Sequence, residues 1–529
     1  MSSNVTAKTD FFNAKCNADD QKTYSNYHAT IVPSDDALNR AKRMPADAVP
    51  LNIYIIGFDT VSRLEFMRKM KQTYKYITDE LKGTIMEMYN VISDGITRAV
   101  LATLTGMTEE ELPDTRFQKR NVSFVDVYPF IWNELKETGY VTLYAEDKPT
   151  LGTFQYRLKG FKKQPTDHYL RSMYVRREND SFDSKLKDCF GDEHALHVQF
   201  SYVEKFFTSY PRGRLKFAFQ FFVQFKHHDN NYIKMADHMT VDHLKFFNET
   251  GDVIMQPYIL FDGCLSENGF LNDTVIVVMS DQGSRFSSTR PTIQETLEER
   301  NPFLAIILPS WFKQLNPFAM ANLHTNSKRL TTPFDLYATL TRIIAFSPQR
   351  CIRILQRGIS LFSEVPKSRG CYDARIPLHW CPCLEWKRKS NDSIMARFVA
   401  EQVVQALNKR LKLYGDLCAS LSLQSILEVE MNAVNDKYVS FESSSDTNDR
   451  VEMSSDLVDF RYQLYKLKIG TCPGNGIFEA TVVVDELEKK LHIDMNLLFR
   501  VNFYGTSSVC IQEKDFFLLQ LCFCRIYLV

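Results

Sequence analysis

The sequence predicts an α/β fold, an open sheet of parallel strands between helices, followed by a smaller cysteine-rich α+β domain. Leu51–Phe58 (LNIYIIGF), Phe217–Phe225 (FAFQFFVQF) and Val275–Met279 (VIVVM) are apolar without alternation, as strands buried on both faces are. Segments with helical spacing separate them. Each run ends in acidic or imidazole side chains: Asp59 after the first, His228 and Asp229 after the second, Asp281 after the third. Ligands of open α/β sheets sit at the carboxyl ends of the strands, so these residues are delivered to one edge.

At 529 residues the chain exceeds what a single hydrophobic core serves, and two or three domains are expected. Formal net charge is zero, which offers no electrostatic footprint for nucleic acid or an anionic membrane. No stretch reaches the ~20 apolar residues of a membrane span. Phe516–Val529 is apolar but too short, and it carries Arg525.

Taken in order, residues 1–50 are polar, with Pro33, Pro45 and Pro50, and read as an irregular lead-in. An α/β domain over 51–363 begins with the strand Leu51–Phe58. Asp59-Thr60-Val61-Ser62-Arg63 follows, then a helical pattern over Leu64–Leu81. Asp94-Gly95 feeds a short apolar helix running to Gly106. Its N-terminus, residues 95–98, offers N–H groups and a dipole that favour an anion, and a hydroxyl there is a candidate nucleophile. A helix over Val125–Thr138 precedes the strand Tyr140–Ala145, which ends in Glu146-Asp147. Tyr232–Thr250 reads as a helix, Pro302–Leu308 as a strand and Pro333–Ile344 as a helix. The strand-end acids and histidine form a candidate cation site; in the plain alternative each only caps a helix or closes a turn.

Residues 364–394 form a Cys/Pro-rich linker and 395–529 a small disulfide-rich α+β domain. Its elements are one long amphipathic helix over Ala396–Leu427, a Ser/Asp-rich loop over Ser440–Asp456, and β-like stretches at Phe460–Ile469, Gly476–Asp485 and Leu498–Tyr504. Nine of the 12 cysteines lie from Cys351 onward, which predicts a stapled tail. Zinc at Cys381-Pro382-Cys383 and Cys522-Phe523-Cys524 competes with this reading, but C-x-C lacks the usual knuckle spacing. Six N-x-S/T sequons, from Asn4 to Asn391, suit an extracellular or secretory-pathway glycoprotein, although Met1–Asp20 lacks the apolar core of a signal peptide.

Several motifs stand in one order: Gly57-Phe58-Asp59-Thr60-Val61-Ser62-Arg63, Asp94-Gly95 through Leu104-Thr105-Gly106, Tyr144-Ala145-Glu146-Asp147, Met279-Ser280-Asp281, Leu330-Thr331-Thr332-Pro333-Phe334-Asp335 and His379-Trp380-Cys381-Pro382-Cys383. On these the chain resembles the alkaline phosphatase/sulfatase superfamily, and more closely its sulfatase-like "domain of unknown function 229" family. The resemblance implies an alkaline-phosphatase-like α/β/α sandwich. Its strand ends would hold one or two divalent metals (Zn, Mn, Mg or Ca) and hydrolyse phosphate or sulfate esters through a covalent intermediate. Asp59 and Asp281 match metal-binding aspartates, His228 a metal-binding histidine and Asp229 a weaker ligand candidate, with Arg63 and Thr97 as candidate catalytic residues.

Three departures accompany the resemblance. Counting ten residues back from Gly106, the position of the nucleophile in active relatives, reaches Ile96, and Thr97 stands one place later. Gln282 replaces the histidine of an Asp-His-Gly element, and a neutral amide oxygen is a weaker ligand than imidazole for zinc-like metals. Tyr337 stands where relatives tend to carry histidine. Nucleophile and ligand failing together imply a degenerate hydrolase, a pseudoenzyme that acts by binding a phosphate- or sulfate-ester or glycan ligand, with its metal retained or lost. The alternative is an active esterase that uses Thr97 on a metal held by Asp59, Asp281, His228 and Gln282. The sequence leaves the oligomeric state open.

Overall fold

The structure, a computed structural model, describes residues 7–19, 22–43, 49–117, 121–179, 189–223, 231, 233–249, 269–284, 293–344, 357–384, 386–433, 462–485, 490–512, 514–515 and 518–528. The chain divides into two compact units. One comprises Met1–Thr115, Ser123–Ser284 and Glu298–Arg369, the other Arg116–Val122, Arg285–Leu297 and Gly370–Val529.

The first unit begins with an antiparallel hairpin, β1 (Phe11–Asn17) and β2 (Thr23–Ala29), paired from Phe11↔Ala29 to Asn17↔Thr23. The polar lead-in is therefore ordered where it is described. Its Thr, Tyr and Phe residues suit a pleated surface, and ladder hydrogen bonds satisfy the backbone where apolar periodicity is weak.

The main sheet holds seven strands: β3 (Asn52–Phe58), β4 (Thr84–Ile85), β5 (Val141–Glu146), β6 (His168–Tyr169), β9 (Lys216–Phe222), β10 (Thr274–Ser280) and β11 (Leu304–Ile307). A separate short ribbon pairs β7 (Cys189–Phe190) with β8 (Glu193–His194). The order of the main sheet is β4-β11-β10-β3-β9-β5-β6. From β10 to β6 neighbours are parallel, whereas β11 and β4 run antiparallel at one edge.

Every residue of β3, β9 and β10 is buried, as uninterrupted apolar runs require. On one face Ile53 and Ile55 meet Val100, Leu104, Trp132 and Leu340 from helices Ile96–Thr105, Ile131–Thr138 and Pro333–Ile344. On the other, Tyr54, Ile56 and Phe58 meet Phe66, Phe200, Phe206 and Leu244 from helices Arg63–Lys69, Ala195–Ser209 and Ile233–Glu249. Two apolar layers on one sheet make an α/β/α sandwich.

The Leu64–Leu81 segment is broken. A helix over Arg63–Lys69 ends at Met70 and another starts at Lys71. The Asp237 carboxylate accepts the freed N–H groups of Gln72 (3.1 Å) and Thr73 (2.8 Å), so the break leaves those donors satisfied.

In the second unit β12 (Lys387–Arg388), β13 (Ser422–Ala433), β14 (Tyr462–Cys472), β15 (Gly476–Asp485) and β16 (Lys490–Arg500) form an antiparallel sheet in that order. Helix Ile394–Leu411 buries Val399, Val403 and Leu407 with Leu467, Ile469 and Val482 of the sheet. Disulfides join Cys371–Cys381, Cys418–Cys522 and Cys510–Cys524. The segment Ala396–Leu427, expected as a single helix, is helical only to Leu411, turns over 412–421 and enters β13 at Ser422. Asn408 clamps the return, its amide donating to Leu421 O and accepting from Leu421 N–H, both at 2.7 Å, and β13 then pairs with β14. The Ser440–Asp456 loop lies outside the described residues.

Within the first unit Asp335 and Arg369 form a fully buried ion pair at 2.8 Å. Asp335 also accepts the N–H groups of Thr332 and Ile359, each at 2.7 Å. Desolvation is recovered only while all partners remain. Arg369→Met is expected to cost about 3–5 kcal/mol in urea unfolding, with part of the loss regained in the Asp335→Asn, Arg369→Met double variant.

Candidate functional site

The parallel register assembles the strand ends. Phe58 of β3 pairs with Ser280 of β10, so Asp59 and Asp281 follow at the same level on adjacent strands. Both carboxylates are buried, at 3% and 1% exposure. Asp281 Oδ1 accepts the Thr60 N–H at 2.8 Å, and Thr60 takes a left-handed φ of 55° there. Ser280 Oγ accepts the Val61 N–H at 2.9 Å and donates to Gln282 O at 3.0 Å. The loop after β3 is thereby fastened to the loop after β10. Gly283 completes the joint, because a Cβ there would lie 2.2 Å from Glu298 O.

Arg63 does not turn toward these acids. It opens helix Arg63–Lys69, its Nε donates to Asn301 Oδ1 at 3.2 Å and its N–H to Asn301 O at 2.9 Å. Ser62 caps the helix by accepting the Glu65 N–H, and it donates to Glu298, which Arg68 grips through both terminal nitrogens. His228 and Asp229 lie outside the described residues.

The helix Ile96–Thr105 presents its N-terminus through Gly95, whose φ of 86° suits glycine. The Gly95 N–H donates to Gln282 Oε1 at 3.0 Å, so the amide that stands in the histidine position caps this helix. Ile96 packs against the core. Thr97 is 4% exposed and donates its hydroxyl to Thr153 O at 2.8 Å. At the far end, Gly106 closes the helix at φ 70° and the Tyr337 ring fills the space a Cβ would need, which gives Tyr337 a packing role.

Sequence reasoning passed over two groups here. The first is Arg98, a cation in the first turn of a helix, where the dipole disfavours it. It is held by Glu109 at 3.1 Å and Glu110 at 3.3 Å, and Arg157 shares Glu109 at 3.0 Å. The misplaced charge was the available signal. The second is Glu146, noticed only as a strand end. Its Oε1 accepts both the N–H and the hydroxyl of Thr153 at 2.5 Å, so Thr97, Thr153 and Glu146 form one connected chain. Its neighbour Asp147 accepts the Val223 N–H at 2.9 Å.

The donor atoms at this edge have a chemistry that would suit a divalent cation. Asp59 and Asp281 contribute buried carboxylates and Gln282 an amide oxygen, an all-oxygen set that suits Mg, Ca or Mn better than Zn. Among the described residues, the only convergences of three or more His, Cys, Asp or Glu ligand atoms are cysteine groups.

Burial pushes the Glu146 carboxyl from its ordinary 4.5 up to about 7, against the opposing pull of its Thr153 hydrogen bonds. The folded state holds this proton longer than the unfolded chain does. The associated stability is fully present below pH 4.5 and is lost as pH rises to about 7; a displacement of that size is worth about 3 kcal/mol. Unfolding free energies measured at pH 4.5 and 7.5 are expected to fall more steeply for the wild type than for Glu146→Gln, by about that amount.

No curated protein matches the chain. Among solved structures it is similar to a protein in the alkaline phosphatase superfamily from Vibrio parahaemolyticus, with 12% identity over 88% of this chain and 87% of that one, TM-score 0.38. It is similar to the soluble domain of lipooligosaccharide phosphoethanolamine transferase A from Neisseria meningitidis, with 7% identity over 58% and 91%, TM-score 0.37. A 2-O GAG sulfatase shares 11% identity over 83% and 86%, TM-score 0.35. The protein family described as "Protein of unknown function (DUF229)" matches residues 1–427, and the chain belongs to that family.

Proposed function

We propose that the protein is a secretory-pathway relative of phosphate- and sulfate-ester hydrolases that no longer turns over substrate and acts by binding an anionic ester or glycan at its strand-end edge. The observation that carries this reading is the state of the helix N-terminus. By the resemblance, Ile96 stands at the position of the nucleophile, and the adjacent Thr97 hydroxyl is buried and donates to the Thr153 carbonyl. A hydroxyl that donates to a peptide carbonyl rather than to a base is poorly set for attack. The disulfides support an oxidising compartment.

A divalent cation, when bound, would be held by Asp59 and Asp281 with the Gln282 carbonyl, and would supply positive charge that offsets two buried carboxylates and attracts an anionic ligand. The chain's own contribution is orientation: the Thr60 and Val61 amides fasten the two loops, and Gln282 couples the second loop to the helix.

The test is an assay of the full chain, secreted behind an added signal peptide, against aryl phosphate, phosphodiester and sulfate esters with Zn, Mn, Mg and Ca. Equal background rates are expected for the wild type and Thr97→Ala. True nucleophiles are worth about a millionfold, so metal-dependent turnover abolished in both Thr97→Ala and Asp281→Ala would establish the active esterase instead. Thermal unfolding gives a separate expectation. Millimolar Ca or Mn raises Tm of the wild type but not of Asp281→Asn, and a Tm indifferent to all four ions removes the cation from the proposal.

A further inference from the structure

The second unit carries a sulfur constellation at its start. Cys371 and Cys381 are joined as a disulfide, and each is 1% exposed. Cys383, two residues further on, is a free thiol at the surface. The three sulfur atoms all lie within 4.8 Å of one another. Backbone hydrogen bonds hold the segment in place: Ile376 N–H donates to Cys371 O at 2.9 Å and Cys381 N–H to Leu378 O at 3.3 Å. A disulfide and a thiol in this proximity are the reactants of thiol–disulfide exchange, which needs a thiolate within reach of one sulfur while the other departs.

The direction of attack follows from the chain. A Cys381–Cys383 bond would have to close across the single residue Pro382, whose φ is locked by its ring. Cys371 stands ten residues before Cys381 in sequence and has no such restriction. Cys371 is therefore the sulfur that accepts, and Cys381 the one that leaves.

We propose that Cys371, Cys381 and Cys383 form a thiol–disulfide exchange site, in which the Cys383 thiolate attacks Sγ of Cys371 and Cys381 is released. One S–S bond forms as one breaks. The electron pair departs on Cys381, which takes up a proton in place of the one Cys383 lost, so no outside oxidant or reductant is consumed. The exchange moves the free thiol from the surface to the interior. Small thiols, disulfides and alkylating agents reach it in one pairing and are denied it in the other. Partial burial raises the Cys383 thiol above its ordinary value, so the exchange quickens with pH by about tenfold per pH unit while thiolate is the minor form.

The test is disulfide mapping of the full oxidised chain. Samples incubated at pH 6, 7 and 8 are unfolded in mildly acidic denaturant and blocked there with N-ethylmaleimide, so that a buried thiol also reacts, and the unreduced peptides are read by mass spectrometry. The expected wild-type result is two species, Cys371–Cys381 with blocked Cys383 and Cys371–Cys383 with blocked Cys381, the second appearing about tenfold faster at pH 8 than at pH 7. Cys383→Ser should show the first linkage alone, and Cys381→Ser should form Cys371–Cys383. A wild type that shows only Cys371–Cys381 at every pH and time, or Cys383 joined to any cysteine other than Cys371, overturns the proposal. The wild-type result decides the matter even where a variant does not fold.

Discussion

The candidate site depends on the parallel pairing of β3 with β10 and on the polar joint just beyond it. In-step register carries Asp59 and Asp281 to the same level. Two buried acids so placed need compensation, because burying a charge is costly unless it is paired or hydrogen-bonded. Asp281 obtains part of it from the Thr60 amide, and Ser280 holds Val61 in the same way. The left-handed Thr60 is tolerated because those bonds determine the turn.

From that joint the geometry extends to the helix beside it. Gln282 lies one residue beyond Asp281, and its side-chain oxygen takes the Gly95 N–H. The amide oxygen presents a neutral acceptor that suits a helix N-terminus. The residue that departs from the family pattern thus has a structural task in this chain. Tyr337 likewise packs against Gly106, and the Thr97 hydroxyl is held on the Thr153 carbonyl.

The second unit is stabilised differently. Its antiparallel sheet and single long helix enclose a smaller core than the sandwich does, and cross-links constrain what apolar burial alone holds less firmly. The Cys418–Cys522 disulfide binds the tail to the turn after the helix, and Cys510–Cys524 closes a loop within the tail. Cys371–Cys381 belongs to the opening segment, where a third sulfur makes the pairing a chemical question as well as a structural one.

Hydropathy along the chain was sufficient to find β3, β9 and β10, the helix Pro333–Ile344 and the acids that end the strands, because double-sided burial writes itself into consecutive residues. The cysteine crowding likewise announced a stapled tail. It was not sufficient for the break at Met70, the strand β13 or the polar hairpin β1–β2, whose conformations rest on partners distant in sequence: Asp237, β14 and the opposite strand. The site divides in the same way. Sequence placed Asp59 and Asp281 at strand ends, which the register brings to one level, and named Thr97 and Gln282 as candidates beside them. Tertiary structure alone decided that Thr97 donates to a carbonyl 56 residues away and that Gln282 serves an amide 187 residues away. A side chain's chemistry follows from its hydrogen-bond partner, and only the packed fold chooses that partner.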